Sequence, residues 1–121
     1  MLEVGCGEGG NLLPFLERGC PCVGVDLNAP QVERAQGYLA DAAPAGQVEL
    51  RAQDMYATSP EDLGTFDFFF LRDVIEHIFD QERFMAFIRD FLAPGGVLFI
   101  GFPPWYMPFG GHQQICQFDV S

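Results

Sequence analysis

Short apolar runs alternate along the chain with segments of helical periodicity. Leu2–Val4 predicts a strand stub that enters the glycine-rich stretch Gly5–Gly10. Leu12, Leu13 and Leu16 predict a short helix, with Pro14 accommodated in its first turn and Gly19 as its stop. Cys22-Val23-Gly24-Val25 predicts a second buried strand ending at Asp26. Asn28 followed by Gln31 is a capping-box signal, and Val32, Ala35 and Leu39 carry the apolar face of the helix behind it. Val48–Ala52 predicts a third strand. Pro60 and Gly64 punctuate a loop before Phe66–Leu71, a fourth strand too apolar to have a wet face. Asp80 caps a helix on which Phe84, Phe87, Ile88 and Phe91 recur at i, i+3, i+4 and i+7. Pro94-Gly95-Gly96 then turns the chain into a fifth strand, Val97–Ile100.

Strand–helix repetition with continuous apolar strands predicts an α/β domain: a doubly wound, mostly parallel sheet with helices on both faces. In such a sheet the ligand lies beyond the carboxyl ends of the strands, near the topological switch point. The distinctive polar residues fall at those ends: Glu3 to Gly10, Asp26, Asp54 and Arg72-Asp73. The first strand is a stub, and only a Pro/Gly/aromatic tail follows the fifth. Residues 1–121 are therefore expected to be one domain, a fragment lacking an N-terminal helix and the last strands.

Composition narrows the class of function. Seventeen acidic against six basic side chains leave a net charge of −11. That charge repels phosphate backbones and anionic lipid, which argues against nucleic acid or a membrane surface as partner. No apolar run approaches the ~20 residues of a membrane span, and the start lacks a signal-peptide pattern. Four cysteines, scattered at 6, 20, 22 and 116, do not make a disulfide scaffold. A soluble protein of a reducing compartment, the cytoplasm, is the expectation. Cys20 and Cys22 with His112 and Cys116 lack zinc-ligand spacing, so no metal is expected.

The loop Gly5-Cys6-Gly7-Glu8-Gly9-Gly10 contains a literal G-x-G-x-x-G, and Asp26 lies 21 residues beyond Gly5, where a ribose-binding acid belongs. A dinucleotide site and a plain turn both remain open on that motif alone. Charge separates the cofactors. Glu3 and Glu8 flank the loop, with no Lys or Arg along the chain until Arg18. Carboxylates oppose a pyrophosphate at a helix N-terminus. They favour S-adenosylmethionine, which carries an ammonium and a sulfonium and no phosphate.

These residues resemble the class I S-adenosylmethionine-dependent methyltransferases. Leu2-Glu3-Val4-Gly5-Cys6-Gly7-Glu8-Gly9 is similar to that family's first motif, Gly24-Val25-Asp26-Leu27 to its second, and Gln53-Asp54-Met55 to its third. Phe66-Asp67 through Asp73-Val74-Ile75-Glu76-His77-Ile78 resembles the fourth-strand segment of the small-molecule branch, and Leu92-Ala93-Pro94-Gly95-Gly96 the turn before strand five. The resemblance implies a Rossmann-like sheet of order 3-2-1-4-5 and methyl transfer from S-adenosylmethionine to a small molecule. It further implies that Gly5, Cys6 and Gly7 border the methionine part, with Glu3 anchoring its ammonium. Asp26 would accept from both ribose hydroxyls and Leu27 pack on the adenine. Asp54 would take the adenine amino group, Met55 would supply an apolar wall, and Leu71 and Arg72 would line the pocket.

Other features have plainer readings. Asp73 and Glu76 form a D-x-x-E capping pair, and the Phe66–Phe70 run reads as core. No catalytic residue is assigned; His77 and His112 are weak candidates for a general base. Trp105 and Tyr106, beyond a strand's carboxyl end, suit the walls of an apolar or planar substrate site. In the order 3-2-1-4-5 the strand 97–100 lies at an edge, so either the tail folds back over it or two copies meet there; a homodimer or aggregation-prone species through this edge is the expectation. An NAD-dependent oxidoreductase and a non-catalytic cofactor-binding module are the alternative functions.

Overall fold

The computed structural model describes residues 1–42, 46–72, 78–101 and 113–117. They divide into two compact units, Met1–Thr58 and Ser59–Ser121.

In the first unit β1 (Leu2–Val4), α1 (Leu13–Glu17), β2 (Cys22–Asp26), α2 (Ala29–Leu39) and β3 (Val48–Ala52) follow in chain order. Strand β2 pairs in parallel with β1 on one side, Val25 opposite Val4, and with β3 on the other, Asp26 opposite Ala52. Each helix begins and ends where local chemistry dictates. Pro14 sits in the first turn of α1, where its missing N–H costs nothing, and Gly19 at φ 82° ends the turn behind it. Asn28 Oδ1 accepts the Gln31 N–H at 3.1 Å and starts α2. Val32, Ala35 and Leu39, at helical spacing, are the buried side of α2, which packs against β2 and β3. Gly24 leaves bare backbone in mid-strand: a Cβ there would lie 2.9 Å from both Cys6 Sγ and Leu50 Cδ2.

The second unit contains α3 (Pro60–Leu63), β4 (Phe66–Arg72), α4 (Gln81–Arg89), β5 (Leu92–Gly101) and β6 (Gln113–Gln117). The expected loop after Pro60 holds a helical turn. Ser59 Oγ caps it by accepting the Asp62 N–H at 3.3 Å, with Glu61 and Asp62 in the first turn. Helix α4 starts where expected, Asp80 Oδ1 accepting the Arg83 N–H at 3.0 Å, and it buries Phe84 and Ile88.

Three expectations for this unit need correction. Strand β5 begins at Leu92 rather than Val97. Phe66 pairs with Leu92 but Phe68 with Val97, so Pro94-Gly95-Gly96 is an expansion within the strand rather than a turn before it. Gly95 takes φ 77° there, and a Cβ on Gly96 would press to 2.8 Å from the Ala93 carbonyl oxygen. The Phe66–Phe70 run is also not uniformly core. Phe69 and Leu71 are fully buried, whereas Phe66, Phe68 and Phe70 on the alternate face are half-buried, with Phe70 stacked on Phe99 at 4.9 Å. Lastly, β5 is not an edge. Strand β6 pairs antiparallel with it, Ile115 opposite Phe99, so the open edge that predicted a homodimer through 97–100 is occupied by the chain itself.

Candidate functional site

The first unit assembles a site from the end of β1, the loop behind it and the end of β2. The Gly5 N–H donates to the Val25 carbonyl at 2.7 Å, pinning the loop to the neighbouring strand. Gly5, Gly7 and Gly9 take φ values of 77°, 54° and 89°, a left-handed conformation that side-chain-bearing residues rarely adopt. Gly9 is required twice over, because a Cβ there would come within 2.9 Å of Leu39 Cδ1 and 3.3 Å of Ala35 Cβ. Gly10 has no neighbour within 4 Å of its would-be Cβ. The glycine that allows close helix packing is therefore Gly9, and the working pattern is G-x-G-x-G. In the dinucleotide fingerprint that task belongs to the third glycine of G-x-G-x-x-G, here Gly10.

Asp26 is held by backbone donors on both oxygens: Gly7 N–H on Oδ2 and Asn28 N–H on Oδ1, each at 2.8 Å. Its own carbonyl accepts the Gln53 N–H at 3.0 Å and ties the exit of β3 to the end of β2. An ionised carboxylate offers about four lone-pair directions, so this one retains acceptor capacity while its orientation is set. The next side chain, Leu27, is 74% exposed, an apolar surface beside an oriented acid.

Glu3 is fully buried in β1, and its Oε2 accepts a hydrogen bond from Asn11 Nδ2 at 3.0 Å. Cys6, in the loop, is buried near both acids. Desolvation first, then the charges of Glu3 and Asp26, push its thiol up to about 12, so it stays a neutral packing group. The loop's charge is also not as bare as the chain order suggests. Arg34 of α2 reaches Glu8 at 3.1 Å, with the two side chains 58% and 61% exposed. Glu8 is thus countered at the surface, and the acidity that matters lies deeper, at Glu3.

The structure therefore brings Glu3, Gly5, Cys6, Gly7 and Asp26 together within the first unit. Asp54 is exposed and caps the 3-10 turn Met55–Ala57, its Oδ1 accepting the Tyr56 N–H at 2.9 Å. Met55 is buried, its carbonyl accepting the Thr58 hydroxyl at 2.6 Å. In the second unit Leu71 is buried in β4, and Arg72 is the last residue of that strand, its side chain outside the described set. His77, Trp105, Tyr106 and His112, together with the Asp73/Glu76 pair, lie outside the described residues. Asn11 and Arg34 are site-building residues that sequence reading passed over, and Gly9 and Gly24 were quoted there within the first and second motifs without a role of their own. Asn11 alone carried a signal, as a polar residue before the apolar Leu12-Leu13.

Comparison with known proteins supplies the context. A family model described as a methyltransferase domain matches residues 2–100. The ubiquinone biosynthesis O-methyltransferase of Mesorhizobium japonicum is 33% identical over 104 residues, covering 83% of this chain and 39% of the relative. The norajmaline N-methyltransferase of Rauvolfia serpentina is 32% identical over 101 residues, covering 83% and 34%. The chain thus spans less than two fifths of the length of these curated relatives. Among solved structures, Haemonchus contortus phosphoethanolamine N-methyltransferase 2, in complex with phosphomonomethylethanolamine and S-adenosylhomocysteine, superposes with a TM-score of 0.72 at 30% identity, covering 84% of this chain and 24% of that one. The fold is the doubly wound α/β class expected, its two units supplying strand orders 3-2-1 and 4-5 with β6 added after β5.

Proposed function

The chain belongs to the methyltransferase domain family, and from that premise we propose that it binds S-adenosylmethionine at the carboxyl ends of β1 and β2 and methylates a small molecule. One observation carries the reading: a fully buried Glu3 carboxylate lies at the base of the glycine loop and is met there by the neutral donor Asn11. A buried negative charge suits a cationic ligand group and opposes a pyrophosphate. The absence of a packing role for Gly10 weighs against the oxidoreductase alternative in the same direction.

The residues present fit the cofactor. Glu3, which has no surface of its own, would act on the amino-acid ammonium through its charge and an intervening group rather than by direct contact. Asp26, oriented by Gly7 and Asn28, would accept from ribose hydroxyls with its remaining lone pairs. Leu27 would lose its solvent exposure against the adenine, and Asp54 would take the adenine amino group. When bound, S-adenosylmethionine supplies a methyl carbon already activated by its sulfonium. The protein's share of the rate is then alignment of the acceptor with that carbon, which alone can supply up to ~7–11 kcal/mol. Trp105 and Tyr106 as substrate walls, His77 or His112 as general base, and Leu71 and Arg72 beside the methionine group belong to the same proposal.

The two relatives are named for ubiquinone biosynthesis and for norajmaline, which supports a small-molecule acceptor. Scattered thiols support a reducing compartment such as the cytoplasm. No described helix is long and apolar enough to cross a membrane.

Calorimetry with S-adenosylhomocysteine, and separately with NADH, tests the cofactor. The homocysteine product should bind and raise the melting temperature by mass action on the folded state. Binding of NADH without binding of S-adenosylhomocysteine would overturn the proposal.

A further inference from the structure

Asn28 and Gln31 have the spacing of a capping box, and the structure forms one half of it. Asn28 Oδ1 accepts the Gln31 N–H at 3.1 Å. The return bond of such a box would run from the Asn28 N–H to the Gln31 side chain. Here that N–H donates to Asp26 Oδ1 at 2.8 Å instead. The Gln31 carboxamide reaches the glycine loop: its Oε1 stands 3.6 Å from the place a Cβ on Gly7 would take. The Gly7 N–H in turn donates to Asp26 Oδ2 at 2.8 Å. Contacts thus run in a ring from Asp26 through Asn28 and Gln31 to Gly7 and back to Asp26. The ring holds a carboxylate and a carboxamide, both half-buried, against one glycine whose missing side chain leaves room beside them.

The two groups are complementary in kind. An ionised carboxylate only accepts hydrogen bonds, whereas a carboxamide also offers two N–H donors. A hydroxyl gives one proton and keeps two lone pairs. A diol that gives its protons to Asp26 therefore still has oxygens that call for donors. The Gly7 and Asn28 N–H groups are committed to Asp26 itself. Nε2 of Gln31, bonded to the same carbon as Oε1, borders the same space and carries the donors.

We propose that Gln31 is a further cofactor-binding residue, whose carboxamide donates to the oxygen of a ribose hydroxyl while Asp26 accepts that hydroxyl's proton. The inference rests on the cofactor reading above and adds a residue to it. It makes a distinction that a general structural role for Gln31 does not: the side chain serves one hydroxyl of the ligand and no other part of it.

The test uses S-adenosylhomocysteine and its 2′-deoxy and 3′-deoxy analogues. Dissociation constants are measured by calorimetry on the native protein and on Gln31→Met, which keeps the length of the side chain and removes its donors. Gln31→Met should weaken S-adenosylhomocysteine by about three- to tenfold, the range of one hydrogen bond. That loss should shrink to within about twofold for the deoxy analogue that lacks the hydroxyl concerned. Gln31→Glu reaches as far but, ionised, only accepts. It should show the same pattern with at least as large a loss, and it decides the matter if Gln31→Met does not fold. Equal losses for all three ligands would show a merely structural role and overturn the inference, as would native affinity in either variant. If the native protein does not bind S-adenosylhomocysteine, the cofactor reading itself falls and this inference with it; if it binds and the variants match it, the inference alone falls.

Discussion

At the scale of single residues, the glycines of the loop are not equivalent, and the difference is measurable. Gly9 combines φ 89° with a 2.9 Å approach to Leu39 Cδ1, whereas Gly10 has open space around it. Gly9→Ala should therefore cost about 1–3 kcal/mol through strain and overpacking. Gly10→Ala should stay within about 0.5 kcal/mol of native. Urea denaturation of the two variants checks this; equal costs would mean that the loop does not pack on α2 as described. The buried thiols make a second prediction. Desolvation by burial, helped for Cys6 by Glu3 and for Cys22 by Cys20, lifts both from 9.0 to about 12. The unfolded chain releases these protons at lower pH than the folded one, so their stabilisation is complete below pH 9 and lost as pH rises toward 12. The chain has no lysine to mask the effect. Urea midpoints should fall above pH 9, and more shallowly in Cys22→Ala. Parallel slopes in native protein and variant would refute the assignment.

At the scale of elements, the caps and the sixth strand decide what holds. The Asn28 side chain satisfies an orphan donor of α2, whose buried stripe Val32, Ala35 and Leu39 supports the loop through Gly9. Strand β6 does for β5 what a cap does for a helix: it pairs the backbone of Val97 through Gly101. Removing Gln113–Gln117 should therefore uncover a long apolar edge, a template for association. Sedimentation should show the shortened protein associating at concentrations where the native one does not, with increased binding of an apolar dye. Unchanged sedimentation and dye binding would mean that the β5 edge is protected by something other than β6.

For the whole molecule, charge is the dominant collective quantity. A net charge of −11 on 121 residues is self-repulsive in the compact state. The described ion pairs, Arg34–Glu8 and Arg51–Glu49, have one or both side chains more than half exposed and offset little of that repulsion. Screening should accordingly stabilise the fold, and the melting temperature should rise between about 20 mM and about 200 mM sodium chloride, where the Debye length shortens to below ~10 Å. A flat or falling melting temperature would show that local ion pairs outweigh the collective field.

The sequence by itself determined the elements whose causes are local. Helices α2 and α4 were legible from apolar spacing and from Asn28 and Asp80, because a cap and a 3.6-residue period both act within a few residues. Strands β1, β2 and β4 were legible as apolar runs, β3 as the short segment Val48–Ala52 with charged residues at alternate positions, and Asp26 as an acid at a strand end. The five-residue Gln113–Gln117 was not, since a short polar segment becomes a strand only when a partner supplies its hydrogen bonds. Tertiary structure alone decided the rest. It chose Gly9 over Gly10 by the approach of Leu39, gave Glu3 its donor from Asn11, and set Arg34 against Glu8. These contacts join positions eight or more residues apart, and neither propensity nor period reaches that far. They exist because parallel register brings the ends of β1 and β2 side by side and because α2 packs back on the strands it connects.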